Sequence, residues 1–68
     1  MRPDWIDELN ALRAGMRHGR DVGECNPVDA ERILRGWGRH VSHETVDLFC
    51  AGSRAPNAYL ASFMVARP

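Results

Sequence analysis

Four residues of the chain have the chemistry to hold a metal: Cys25, His40, His43 and Cys50. Two thiolates and two imidazoles are a donor set that tetrahedral zinc accepts. Structural zinc sites hold their ligands in close pairs, roughly two to four residues apart, at both ends of the site. Here the cysteines stand alone, and only His40 and His43 are close, on either side of an expected helix boundary. The spacing reads as a buried or half-buried thiol at Cys50, a loop thiol at Cys25 and two surface histidines, with no metal and no cofactor. Neither thiol has the electropositive setting that makes a nucleophile. Cys25 follows acidic Glu24, and Cys50 lies late in a helix, where the dipole disfavours a thiolate. Ser42, His43 and Asp47 sit too near one another on one helix to form a nucleophile–base pair. Gly15, Gly19 and Gly23 have no preceding strand and no following lysine, so they are not a phosphate loop. The chain is not expected to be an enzyme.

Charge gives a more productive pattern. The chain has nine basic and nine acidic residues, and its sequence contains arginine but no lysine. Arg13, Arg17 and Arg20 follow one another at helical spacing, and Arg32, Arg35 and Arg39 repeat the pattern further on. A neutral chain can thus present a basic face, suited to an acidic protein surface or a nucleic-acid backbone. Cations near helix C-termini also stabilise their own helices by about 0.3–1 kcal/mol each, with no partner involved. Trp37 lies between Gly36 and Gly38 and close to Arg35 and Arg39. Tryptophan and arginine together are the residue types enriched at interface hot spots. The expected partner-binding set is therefore Arg32, Arg35, Trp37 and Arg39, with Arg13 and Arg17.

The run Val41-Ser42-His43-Glu44-Thr45-Val46 resembles the start of a helix-turn-helix recognition helix. That resemblance implies DNA contacts from Ser42, His43 and Thr45. The chain departs from the pattern where the preceding helix carries Arg35 and Arg39, since placing them in the helix–helix contact would bury charge. Asp47 on the same helix would also repel phosphate. DNA-binding regulation is the alternative reading.

The elements that must position these residues are helical. Trp5, Leu9, Leu12 and Met16 fall at offsets of four, seven and eleven, which predicts a helix from about Pro3 to Arg17. Its early acids and late arginines match the helix dipole. Gly19 and Gly23 mark its exit into a polar loop over 18–26. Asn26-Pro27 caps and opens a second helix, with Ala30, Ile33, Leu34, Trp37 and Val41 as its apolar face. Ser42 caps a third, with Val46, Phe49 and Cys50 inward and Gly52 as its terminator. Pro56 starts a last helix to Ala66, apolar over nearly its whole length and suited to the bundle centre or a homodimer. No segment alternates apolar and polar residues as a strand does. The expected fold is all-α: one domain over 1–68, a compact bundle of three to four short helices. Its expected core is Trp5, Leu9, Leu12, Ile33, Leu34, Trp37, Val46, Phe49, Leu60 and Phe63.

Composition sets the outer limits. At 68 residues with 44% hydrophobic and 26% charged residues, the chain is ordinary globular material, and too small for a deep catalytic cleft. A nucleic-acid binder usually carries a basic excess, and a nucleic-acid mimic an acidic one; the net charge here is zero. No apolar run approaches the roughly 18 residues of a membrane span, and Met1-Arg2-Pro3-Asp4-Trp5 does not open a signal peptide. A cytoplasmic protein with reduced thiols is expected. The function expected from these limits is binding: a small regulator or inhibitor, of the kind phages, plasmids and bacterial operons encode as accessory proteins, docking on a larger host or operon protein through an arginine-rich helix face. No motif in the chain is specific enough to name a family.

Overall fold

The computed structural model describes residues 4–39 and 41–58, the side chains of Asp4 and Trp5 excepted. They form three α-helices: α1 (Asp4–Asp21), α2 (Pro27–Gly36) and α3 (His43–Arg54), with no strand among the described residues. The all-α fold read from the sequence is the observed one. None of these helices is long and apolar enough to cross a membrane.

α2 and α3 begin on identifiable capping devices. Asn26 caps α2 from an extended conformation; its side-chain oxygen accepts the Asp29 N–H at 2.9 Å, and Pro27 follows. Both features satisfy or remove donors that the first helical turn would leave unpaired. α2 stops at Gly36, five residues earlier than its last expected apolar residue, Val41, suggested. Gly38 takes φ +70°, a left-handed conformation that glycine adopts without a Cβ penalty. The Arg39 N–H then donates to the Leu34 carbonyl at 3.0 Å, and the Gly38 N–H to the Arg35 carbonyl at 3.1 Å. This is a complete Schellman closure. It ends the helix beneath Trp37 and turns Arg39 off the helix.

Ser42 caps α3 as expected. The Ser42 hydroxyl accepts the Thr45 N–H at 3.2 Å while the Thr45 hydroxyl accepts the Ser42 N–H at 2.8 Å, a reciprocal capping box. Gly52 does not terminate α3, and Gly19 does not terminate α1. Both lie within helices, because their neighbours require a missing side chain. A Cβ on Gly15 would strike the backbone of Phe49, and one on Gly19 the backbone of Ser53. A Cβ on Gly52 would lie 2.5 Å from the Leu12 carbonyl oxygen and 2.8 Å from the Met16 nitrogen. α1 and α3 therefore meet backbone to backbone, closer than side chains on both helices would permit. α2 packs on α3 beside this seam.

The buried cluster is Ala11, Cys25, Ala30, Leu34, Phe49 and Cys50, with Leu12 and Met16 also buried. Ala14, Ile33, Val41 and Val46 pack against it from partly exposed positions. Three corrections to the expected core follow. Cys25 lies in the loop as expected, but its side chain joins the core: its N–H donates to the Ser53 hydroxyl at 2.9 Å, which donates on to the Cys50 carbonyl at 2.8 Å. That chain of bonds draws the α1–α2 connection onto α3. Trp37 is 55% exposed, because the helix ends beneath it. Leu9 is only half-buried. Pro56 to Ala58 form a turn, with the Ala58 N–H on the Ala55 carbonyl at 3.1 Å. The rest of the expected last helix, including Leu60, Phe63 and the proposed homodimer face, lies outside the described residues, as does the Trp5 side chain.

Candidate functional site: a basic groove along α1

α1 carries two stripes at helical spacing. Ala11, Gly15 and Gly19 form the one that receives α3. The other is Asn10, Arg13, Ala14, Arg17, His18 and Asp21. It lines a groove of about 670 Å³, whose opposite wall is Trp37 and Arg39. Val22 also lines it.

The Schellman turn explains why Trp37 and Arg39 reach this groove. With Gly38 left-handed, the chain leaves α2 at its cap and presents residues 37 and 39 toward α1. Trp37 is anchored from behind: its ring packs at 6.1 Å and a 58° tilt against the Phe49 ring. Phe49 also meets the His18 ring at 5.6 Å. The His18 Nδ1 lies 3.0 Å from the Gly23 carbonyl. A carbonyl only accepts, so His18 carries a proton on Nδ1 and turns its other nitrogen away from that bond.

The groove holds three guanidinium groups and one carboxylate. Arg17 and Asp21 approach to 3.9 Å, both well exposed, a contact of little strength. Arg13 and Arg39 have no ion-pair partner among the described residues. Exposed guanidinium groups held near an indole are suited to carboxylate or phosphate groups arriving together with an apolar side chain.

The structure thus brings together four of the six residues expected to bind a partner: Arg13, Arg17, Trp37 and Arg39. It separates Arg32 and Arg35 from them. Arg35 bonds Glu31 at 2.8 Å and Arg32 approaches Asp29 at 3.9 Å, both one turn back on α2. Arg39 does not continue that stripe, because α2 has already ended. Arg20 is also directed elsewhere, donating to the Pro56 carbonyl at 2.9 Å. The sequence reading missed His18, Asn10 and Ala14 as groove residues. Their spacing from Arg13 and Arg17 was visible, but nothing in it marked which side of α1 would be left open.

The residues of the DNA-binding alternative are placed differently. Thr45 is 1% exposed and its hydroxyl is bonded within the cap, so it is not a surface residue. Ser42 is half-buried and bonded to Thr45. His43 is exposed and lies 3.0 Å from Asp47, and Glu44 and Asp47 are exposed beside it on α3.

Of the four metal-ligand candidates, Cys25 and Cys50 lie inside the buried cluster and His43 on the surface; His40 lies outside the described residues. No group of three or more histidine, cysteine or acidic side chains is placed to hold a metal among the described residues. Burial pushes the Cys25 thiol above the ordinary thiol range, with Cys50 and Asp29 adding to the shift. Burial raises Cys50 as well; Arg54 opposes the shift, while Asp47 and Glu24 add to it. Both are thiols held protonated, the reverse of an activated nucleophile.

No family model, curated protein or solved structure matches the chain.

Proposed function

We propose that the chain is a small docking protein, a regulator or inhibitor that seats an acidic surface of a larger partner in the groove along α1. The observation that carries this reading is an exposed Trp37 held among Arg13, Arg17 and Arg39. Tryptophan and arginine dominate interface hot spots because a rigid apolar plate and a planar fork each gain much on desolvation beside a complementary partner. An open groove in a chain this short offers a contact surface, and blocking a partner needs nothing more. Relative to the arginine-rich α2 face expected from sequence, the docking surface moves to α1 and the α2–α3 connection. Arg32 and Arg35 drop out of it.

The helix-turn-helix alternative has less to support it. The exposed face at the start of α3 carries Glu44 and Asp47, which repel phosphate, and Thr45 is buried. The test is recovery of partner from the native host on the tagged chain, at low salt, beside the Arg13→Glu/Arg39→Glu variant. A specific protein lost with the charge reversal is the expected result. Recovery of that protein undiminished by the variant refutes the proposal. Retardation of duplex DNA with a steep salt dependence, weakened by His43→Ala, would establish the alternative instead.

A further inference from the structure

We infer that the occupant of the groove is an acidic α-helix, about three turns of it lying along α1. The inference rests on the docking reading above and adds the partner's shape. Asn10, Arg13, Ala14, Arg17, His18 and Asp21 recur at intervals of three and four residues. That is the stripe by which one helix receives another. On its other stripe, α1 receives α3 through Ala11, Gly15 and Gly19 at the same period. The open stripe spans roughly 16 Å along the axis, the rise of eleven residues. Its only facing wall among the described residues is the short connection bearing Trp37 and Arg39.

Charge decides what kind of helix fits. Arg13 and Arg17 stand one turn apart, so they match two carboxylates one turn apart on an incoming helix. Arg39 faces them from the opposite wall and offers a third fork to the same helix. Ala14 lies between the two arginines of α1, where its small side chain leaves room for an apolar residue reaching toward Trp37. An apolar helix would bury Arg13 and Arg39 without partners, at high cost. A basic helix would be repelled. Residues 59–68 include no Asp or Glu, so their sequence does not carry the matching carboxylates.

The experiment uses the full chain and three labelled alanine-based peptides. One forms a helix with glutamates one turn apart and leucines between them. The second has glutamine for each glutamate. The third keeps the charges but has a central proline that breaks the helix. Anisotropy measures affinity, and the emission change lost on Trp37→Phe reports contact at the groove. The acidic helix is expected to bind at least about tenfold more tightly than either control. Arg13→Gln/Arg17→Gln is expected to remove about tenfold of that affinity with thermal unfolding unchanged. Equal binding of the proline peptide, still dependent on the arginines, overturns the helical inference and leaves acidic docking standing. Equal binding of the glutamine peptide overturns both. Failure of every peptide, with partner recovery still sensitive to Arg13→Glu/Arg39→Glu, overturns the helix alone. Tighter binding of a DNA oligonucleotide at the same arginines assigns the groove to phosphate, and arginine-dependent self-association assigns it to a second copy; either overturns the inference.

Discussion

The two stripes of α1 share one helical period and have opposite outcomes. Ala11, Gly15 and Gly19 admit the backbone of α3, and the contact is closed within the chain. Arg13, Ala14 and Arg17 run parallel to them and stay open to solvent on either side of Ala14. Periodicity alone does not distinguish a packed face from an open one; side-chain volume and charge do. A face of missing side chains draws in a helix of the same molecule. A face of guanidinium groups disfavours a close-packed apolar neighbour, which would bury the charges without partners.

The comparison breaks most severely at Phe49, the residue common to both sides. Its backbone receives Gly15, and its ring supports His18 and Trp37. Phe49→Ala should cost about 3–5 kcal/mol in chemical denaturation, a large part of the stability of a domain this size. A cost below about 1 kcal/mol would remove Phe49 from the centre of the fold.

The glycines sharpen the comparison through the sign of their effect. Alanine is the better helix former by about 1 kcal/mol. Gly15→Ala and Gly52→Ala should nonetheless destabilise by about 1–3 kcal/mol, because the new Cβ meets backbone that cannot give way. Gly36 has nothing within 4 Å of such a Cβ, so Gly36→Ala should stabilise by up to about 1 kcal/mol. Melting curves of the three variants check this, and a common sign would refute the close seam.

The buried thiols report whether the closed side stays closed. Cys25 and Cys50 ionise less readily folded than unfolded. Their contribution to stability is therefore complete below the ordinary thiol range. It is lost as pH rises above that range, because the unfolded chain releases its thiol protons first. Denaturation midpoints should fall on moving into alkali, and less so in Cys25→Ser/Cys50→Ala. At neutral pH, a thiol reagent should react only as fast as the chain opens.

The smallest effect belongs to α2. Arg32→Gln and Arg35→Gln break exposed pairs one turn apart, each worth about 0.5 kcal/mol or less. Both variants should retain partner binding in the recovery assay. Loss of binding in either would move the docking surface back onto α2.

Much of the fold was legible in the sequence where a residue acts on its own backbone. Asn26 and Ser42 announce helix starts because their side chains bond donors three residues on, a relation contained in the sequence itself. Glycine is different. Gly38 ends a helix, while Gly15, Gly19 and Gly52 allow an approach, and the second role is a property of a neighbour distant in the chain. For the same reason the α1 helix looked shorter than it is. The candidate site was half legible: Arg13, Arg17, Trp37 and Arg39 were named, but were assigned to two separate stripes. What joined them was the left-handed turn at Gly38, which made Trp37 a cap and not a core residue. Arg32 and Arg35 look identical to the others in sequence; what sets them apart is that they stay on α2, while the turn after Gly36 carries Trp37 and Arg39 to the groove.

The cap of α3 has a consequence for acid. Its two side chains are hydroxyls, with threonine in the place where a capping box usually has a carboxylate. Neither group titrates, and neither is screened by salt. The ion pairs on α2 and α3 depend on charge and are screened by salt, but the anchoring of the first turn of α3 does not depend on either. The helix that α1 packs against therefore has an origin indifferent to proton and ion concentration. The ion pairs on the surfaces of α2 and α3 can be screened without loosening that first turn.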